Sequence, residues 1–223
     1  MTALPAFPDE SGPLLIPGPA GPLELMVDLP EPGQERAGVA VVCHPSPPDG
    51  GTLHNKVVTM AARAISELGL AAVRLNFRGV GQSAGRFDEG RGETLDLLAV
   101  TDWLRKTRPH DALWLAGFSF GSWVALQAAR NLPVKQMISI APPVGLREFA
   151  GVLPPDCPWL VVQGDADDIV DPQAVYGWIE TLKHKPTLVR MPDTGHFFHR
   201  RLMDLRGAIK NGVRKNLPPP RNG

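Results

Sequence analysis

With 223 residues, 43% of them hydrophobic, the chain fits one domain able to bury a substantial core. Lysine plus arginine and aspartate plus glutamate both number 23, a balance that excludes a global field drawing in nucleic acid or anionic membrane. No stretch approaches the roughly eighteen apolar residues that would span a bilayer, and residues 1–12 hold no basic flank before an apolar run, so a cytoplasmic protein is expected.

In chain order, residues 1–12 and the proline-rich 216–223 are expected as flexible tails around a single domain over 13–215. Leu23–Leu29 is predicted as an antiparallel edge strand. Continuous apolar runs then recur at Val39–Cys43, Leu70–Phe77, Ala112–Phe118, Val134–Ile140, Trp159–Gln163 and Thr187–Met191. Such runs suit strands covered on both faces, as in a parallel sheet. Helical patterns lie between them. Val57, Ala61, Ala64, Ile65 and Leu68 share one face, and Leu95, Leu98, Ala99 and Leu104 nearly do in a second segment. Further helices are predicted over Ser122–Asn131, Pro172–Leu182 and Phe197–Lys215. Strand and helix alternate, which is the pattern of an α/β domain with an open sheet. The segment Pro142–Pro158 is too short for an inserted domain. Cys43 and Cys157 cannot build a disulfide framework, and Cys43 reads as a core residue.

Between the strand ending at Phe118 and the helix after Ser122 stands Gly117-Phe118-Ser119-Phe120-Gly121, a G-x-S-x-G sequence in strand–turn–helix context. Small residues flank the serine because a sharp turn brings backbone onto backbone there. The turn lifts the Ser119 hydroxyl above the sheet as a nucleophile. The Phe120 amide, at the start of the helix, can face an oxyanion.

Partners for Ser119 should follow strands, at their carboxyl ends. His184 and His110 precede strands and His54 should open a helix, which leaves His196, after the last strand, as the general base. His199 is its local competitor. The acid should follow Trp159–Gln163, where Asp165, Asp167, Asp168 and Asp171 stand together. Asp171 before Pro172 reads as a helix N-cap. After the strand Val39–Cys43, the loop His44-Pro45-Ser46-Pro47-Pro48 holds three prolines without an N–H, so Ser46 is the central amide donor, and Ser46 and Phe120 would form an oxyanion hole. His44 reads as a structural pin and Arg78 as a buried tether. No H-E-x-x-H or paired-cysteine spacing calls for a metal, and no cofactor is expected.

His44-Pro45-x-Pro47, Gly50-Gly51-Thr52, Asn55-Lys56-Val57-Val58, Asn76-Phe77-Arg78-Gly79-Val80-Gly81-Gln82-Ser83 and the elbow together resemble small bacterial α/β-hydrolases related to dienelactone hydrolases, over about residues 23 to 210. The resemblance implies an eight-stranded, mostly parallel twisted sheet with its first strands antiparallel at one edge, helices on both faces, and little or no lid. Gly164-x-x-Asp167-x-x-Val170 is similar to the acid loop of many α/β-hydrolases, which maps the acid onto Asp167 and leaves Asp168 and Asp165 as rivals. Dienelactone hydrolases proper carry cysteine where this chain has Ser119, and relatives often have histidine where Ser46 stands. The expected chemistry is therefore hydrolysis of a small-molecule acyl ester of short or medium length through an acyl-enzyme. A thioester substrate is the nearest alternative, and a non-catalytic binding module on the same fold is the alternative of another class.

Overall fold

The structure, a computed structural model, describes residues 4–149 and 151–221. Eight strands form one sheet: β1 Gly12–Gly18, β2 Gly21–Asp28, β3 Gly38–Cys43, β4 Ala71–Leu75, β5 Ala112–Phe118, β6 Gln136–Ile140, β7 Trp159–Gly164 and β8 Thr187–Met191. Their spatial order is β1-β2-β4-β3-β5-β6-β7-β8. β1 and β2 pair antiparallel with each other, and β2 pairs antiparallel with β4. From β4 onward all pairings are parallel, with Cys43 opposite Gly117 where β3 meets β5.

Continuous burial on β3 to β7 has a direct cause. Val39, Val41 and Cys43 of β3 face one apolar layer, while Ala40 and Val42 face the other. β5 alternates in the same way, Leu113 and Leu115 against Trp114, Ala116 and Phe118. The second layer is closed by α1 (Lys56–Ser66) and α5 (Leu202–Val213), and the first by α2 (Arg91–Thr107), α3 (Phe120–Ala129) and α4 (Pro172–Thr181). Both faces being covered, each strand loses its polar alternation.

Some expectations need revision. β1 is absent from the sequence reading because Pro13 and Pro17 break the run, yet both are tolerated on an edge strand, where one row of amides has no partner strand. α5 begins at Leu202 rather than Phe197, since Phe198 and Arg200 take φ of 52° and 59°, which no right-handed helix admits. α2 buries Leu97, Val100, Trp103 and Leu104 and leaves Leu95 outside. The ends also pack beyond 13–215. Phe7 stacks on Trp103 at 5.5 Å, and the Trp103 indole N–H donates to Pro5 O at 2.8 Å. At the other end Ala37 N–H donates to Pro219 O at 2.9 Å and Arg36 Nη1 to Pro218 O at 2.8 Å. Fixed proline φ angles leave those carbonyls little entropy to lose on ordering.

Between β6 and β7 the described residues form no helix, only turns and an isolated bridge between Val144 and Arg147. No helix of the described residues is long and apolar enough to cross a membrane.

Candidate active site

Ser119 sits between β5 and α3, with φ 49° and ψ −120°, outside the regions an L-residue ordinarily occupies. Its surroundings hold it there. Its N–H donates to Ile140 O at 2.9 Å, and its carbonyl accepts from Ser122 N–H at 2.9 Å and from Ser122 Oγ at 2.7 Å. The glycines are spatial requirements: a Cβ on Gly117 would stand 2.4 Å from the Gly121 backbone, and one on Gly121 would stand 2.4 Å from Cys43 O. The elbow is thereby pressed against the end of β3, and the loop that carries Ser46 leaves from there.

His196 comes from the loop after β8. Phe198 N–H bonds back to Gly195 O at 3.1 Å, and the wholly buried Phe198 ring anchors this turn beside Phe118. The His196 ring is nearly buried and packs on Phe118, the residue before Ser119, at 4.9 Å between centroids. Its Nδ1 stands 2.8 Å from Asp167 Oδ2. An ionised carboxylate only accepts, so Nδ1 carries the proton and Nε2 is the nitrogen able to take one.

Asp167 is saturated with donors. Oδ1 accepts from the amides of Ile169 (2.9 Å) and Val170 (2.8 Å), and Oδ2 accepts from His196 and from Gln163 Nε2 at 3.0 Å. Burial by itself would raise its pKa, but the bonds from His196 and the two amides outweigh burial and hold it below the usual carboxylate value. The rival carboxylates are elsewhere: Asp165 is exposed and pairs with Arg190 at 3.2 Å, Asp168 is exposed, and Asp171 caps α4 through Gln173 N–H at 2.9 Å. The acid loop and the histidine loop are laced together by Ala166 N–H to Thr194 O at 3.1 Å and Asp165 N–H to Met191 O at 2.9 Å.

Phe120 opens α3, so its N–H has no intrahelical acceptor. Ser46 follows the buried Pro45 and precedes a short 3₁₀ turn at Pro47–Asp49, and its carbonyl accepts from Asp49 and Gly51 N–H. His44, at the end of β3, is wholly buried; burial pushes its pKa down to about 4. His54, His110, His184 and His199 are all exposed. Arg78 forks onto buried Asp96 at 3.0 and 2.8 Å, tying the β4–α2 loop to α2. Cys43 is buried, and burial pushes its thiol pKa well up. Sequence reasoning did not find Gln163. The available signal was a lone amide in the apolar strand Trp159–Gly164, since such a group is buried only where it has something to bond.

Residues 21–154, more than half of the chain, match the family model described as X-Pro dipeptidyl-peptidase (S15 family). Among solved structures, XC6422 from Xanthomonas campestris, an α/β serine hydrolase without a lid, is 60% identical, with 97% of this chain and all of that one covered at a TM-score of 0.94. An α/β serine hydrolase homologue from Coxiella burnetii is 42% identical over 95% of this chain and all of its own, at 0.88. Dienelactone hydrolase from Anabaena variabilis, 21% identical over 93% of this chain and 98% of its own at a TM-score of 0.78, shares the fold. The chain is a member of the S15 family as that model draws it, and belongs to the α/β serine hydrolases that fold without a lid.

Proposed function

We propose that the protein hydrolyses small-molecule acyl esters of short or medium chain length through an acyl-enzyme formed on Ser119. The observation that supports this most is the buried 2.8 Å contact between His196 Nδ1 and Asp167 Oδ2, with the imidazole packed on the residue that precedes Ser119. Ser119 Oγ attacks the ester carbonyl as its proton passes to His196 Nε2, and the carbonyl oxygen becomes an oxyanion facing the Ser46 and Phe120 amides. The intermediate collapses, the ester C–O bond breaks, and His196 returns the proton to the departing alkoxide. Water then attacks the acyl-enzyme, giving its proton to His196, and the acid leaves as Ser119 is reprotonated. Asp167 fixes the tautomer and stabilises the transient imidazolium.

An apolar acyl group is favoured by three large exposed hydrophobics at the carboxyl edge of the sheet: Phe197 beside His196, Ile169 on the loop that binds Asp167, and Leu146 between β6 and β7. Exposed apolar residues gathered around a site gain by covering substrate. We place the activity in the cytoplasm, acting on a small molecule.

Purified protein and its Ser119→Ala variant should be compared on p-nitrophenyl acetate, butyrate and octanoate, with acyl-CoA thioesters in parallel. Turnover of the esters falling by about a million-fold in the variant is the expected result. Preference for the thioesters would move the substrate class, and equal activity in both proteins, or none, would favour a binding module.

A further inference from the structure

The Ser46 amide shares its peptide plane with the Pro45 carbonyl, and that carbonyl is held from behind. His44 Nδ1 lies 2.6 Å from Pro45 O, and His44 Nε2 accepts the Phe77 N–H at 3.1 Å. An amide nitrogen brings only a proton to such a contact, so Nε2 is bare and the single proton of the neutral ring sits on Nδ1. The start of the β4–α2 loop therefore dictates the tautomer at the end of β3. The ring is wedged edge-on to Phe77, 4.8 Å between centroids, and has no access to solvent.

In a trans peptide the C=O and N–H point in opposite directions, and no peptide bond among the described residues is cis. A donor gripping the Pro45 oxygen on one side therefore aims the Ser46 N–H to the other. On its flank stands the elbow, where a Cβ on Gly121 would lie 2.5 Å from His44 O. Two further restraints follow, one on this plane and one on the next, the Ser46–Pro47 peptide. Gly51 backs the Pro45 oxygen so closely that a Cβ there would stand 2.1 Å from it, and the Gly51 N–H holds Ser46 O at 2.9 Å. Among the described residues no backbone acceptor takes the Ser46 N–H itself.

We propose that His44 is a positioning residue for the oxyanion hole, its Nδ1–H locking the Pro45–Ser46 peptide plane so that the Ser46 N–H faces the reacting carbonyl before substrate arrives. This rests on the reading of Ser119 as nucleophile and Ser46 as oxyanion donor. A donor held in place costs no reorganisation when charge develops, so the lock acts on the transition state and leaves ground-state binding alone.

Two substitutions divide the two functions of the ring. Asparagine can set its amide NH₂ where Nδ1 stands and keep the bond to Pro45 O, leaving Phe77 N–H unpaired. Glutamine can set its carbonyl oxygen where Nε2 stands and keep the bond from Phe77, leaving Pro45 O unheld. Each loses one buried hydrogen bond, so a purely structural histidine would make the two variants equally impaired. The expected result with p-nitrophenyl butyrate is a kcat for His44→Gln about tenfold or more below that of His44→Asn, with KM within about threefold in both, as befits a loosened oxyanion donor. Should His44→Gln fail to fold, Gly51→Ala pushes on the same carbonyl and is expected to lower kcat with KM kept. Equal losses in the two histidine variants, or a loss carried by KM, would overturn the proposal and leave the nucleophile reading standing. Activity surviving in Ser119→Ala would overturn both.

Discussion

Gln163 Nε2 and His196 Nδ1 both bond to one oxygen of Asp167, Oδ2, at 3.0 and 2.8 Å. The amide thus orients the carboxylate from the strand side while the imidazole is oriented from the loop side. Gln163→Leu removes one donor to a buried charge, but it also removes the Gln163 carbonyl oxygen, which has no partner among the described residues. Opposed effects of about 1 to 3 kcal/mol each leave stability little changed. A loss of turnover of less than about tenfold is expected, because His196 still holds Oδ2. Gln163→Glu sets a second carboxylate against Asp167 and is expected to lower ester turnover at pH 7 far more. Steady-state rates and thermal midpoints of the two variants check this, and equal rates would show that a second carboxylate at 163 does not disturb Asp167.

Asp167 and Asp168 are neighbours in the chain, but only Asp167 meets the imidazole. Asp167→Asn would offer an N–H to Nδ1 and favour the wrong tautomer, lowering kcat by about 10⁴-fold. Asp168→Asn is expected to stay within about twofold. A similar loss in both would mean that the acidic loop acts through its charge and not through one hydrogen bond.

Gly164 ends β7 and Gly195 precedes His196 in the loop after β8, and they should respond differently to alanine. A Cβ on Gly164 would stand 2.1 Å from Thr194 O, whereas one on Gly195 would find its nearest neighbour, Asp168 Oδ1, at 3.6 Å. Gly164→Ala is expected to part the loops and destabilise the protein by about 1 to 3 kcal/mol. Gly195→Ala is expected to fold and turn over normally, since its backbone is not in the left-handed region. Denaturant midpoints of both variants decide this.

His44 also makes stability depend on pH. In the folded protein it stays neutral down to about pH 4, while in the unfolded chain it protonates near 6.5. Between those values the unfolded state binds more protons, so stability rises with pH; the contribution is complete above 6.5 and is lost as pH falls toward 4. At about 1.4 kcal/mol per tenfold change in proton concentration, roughly 3 kcal/mol is at stake. Urea unfolding at pH 7 and pH 4.5 should show a smaller acid loss in His44→Asn than in the parent protein. Parallel losses would remove His44 as the source.

Strands β5 and β8 could be read from the sequence to the residue: β5 is an apolar run buried on both faces, and β8, a half-exposed edge strand, is a short run closed off by Pro186 and Pro192. The elbow and His196 could be read too, since a G-x-S-x-G turn and a histidine after the last strand are local features. What escaped depended on contacts distant in sequence. β1 is recognisable only once Gly12–Gly18 is laid against Gly21–Val27. The packed ends rest on Trp103 and Ala37. Asp167 was separated from its neighbours by family likeness, and the physical reason, a loop that aims one of four carboxylates inward while donating two amides to it, emerges only in three dimensions.

The backbone at Ser119, with φ 49°, is a conformation glycine adopts readily and serine does not, at a cost of order 1 kcal/mol or more. A Ser119→Gly chain should thus unfold at a higher temperature than its parent while being inert toward esters. Any search among variants that rewards thermal endurance alone will drift toward that change and discard the proposed nucleophile. On the proposed reading, serine at this turn serves the chemistry against the preference of the fold.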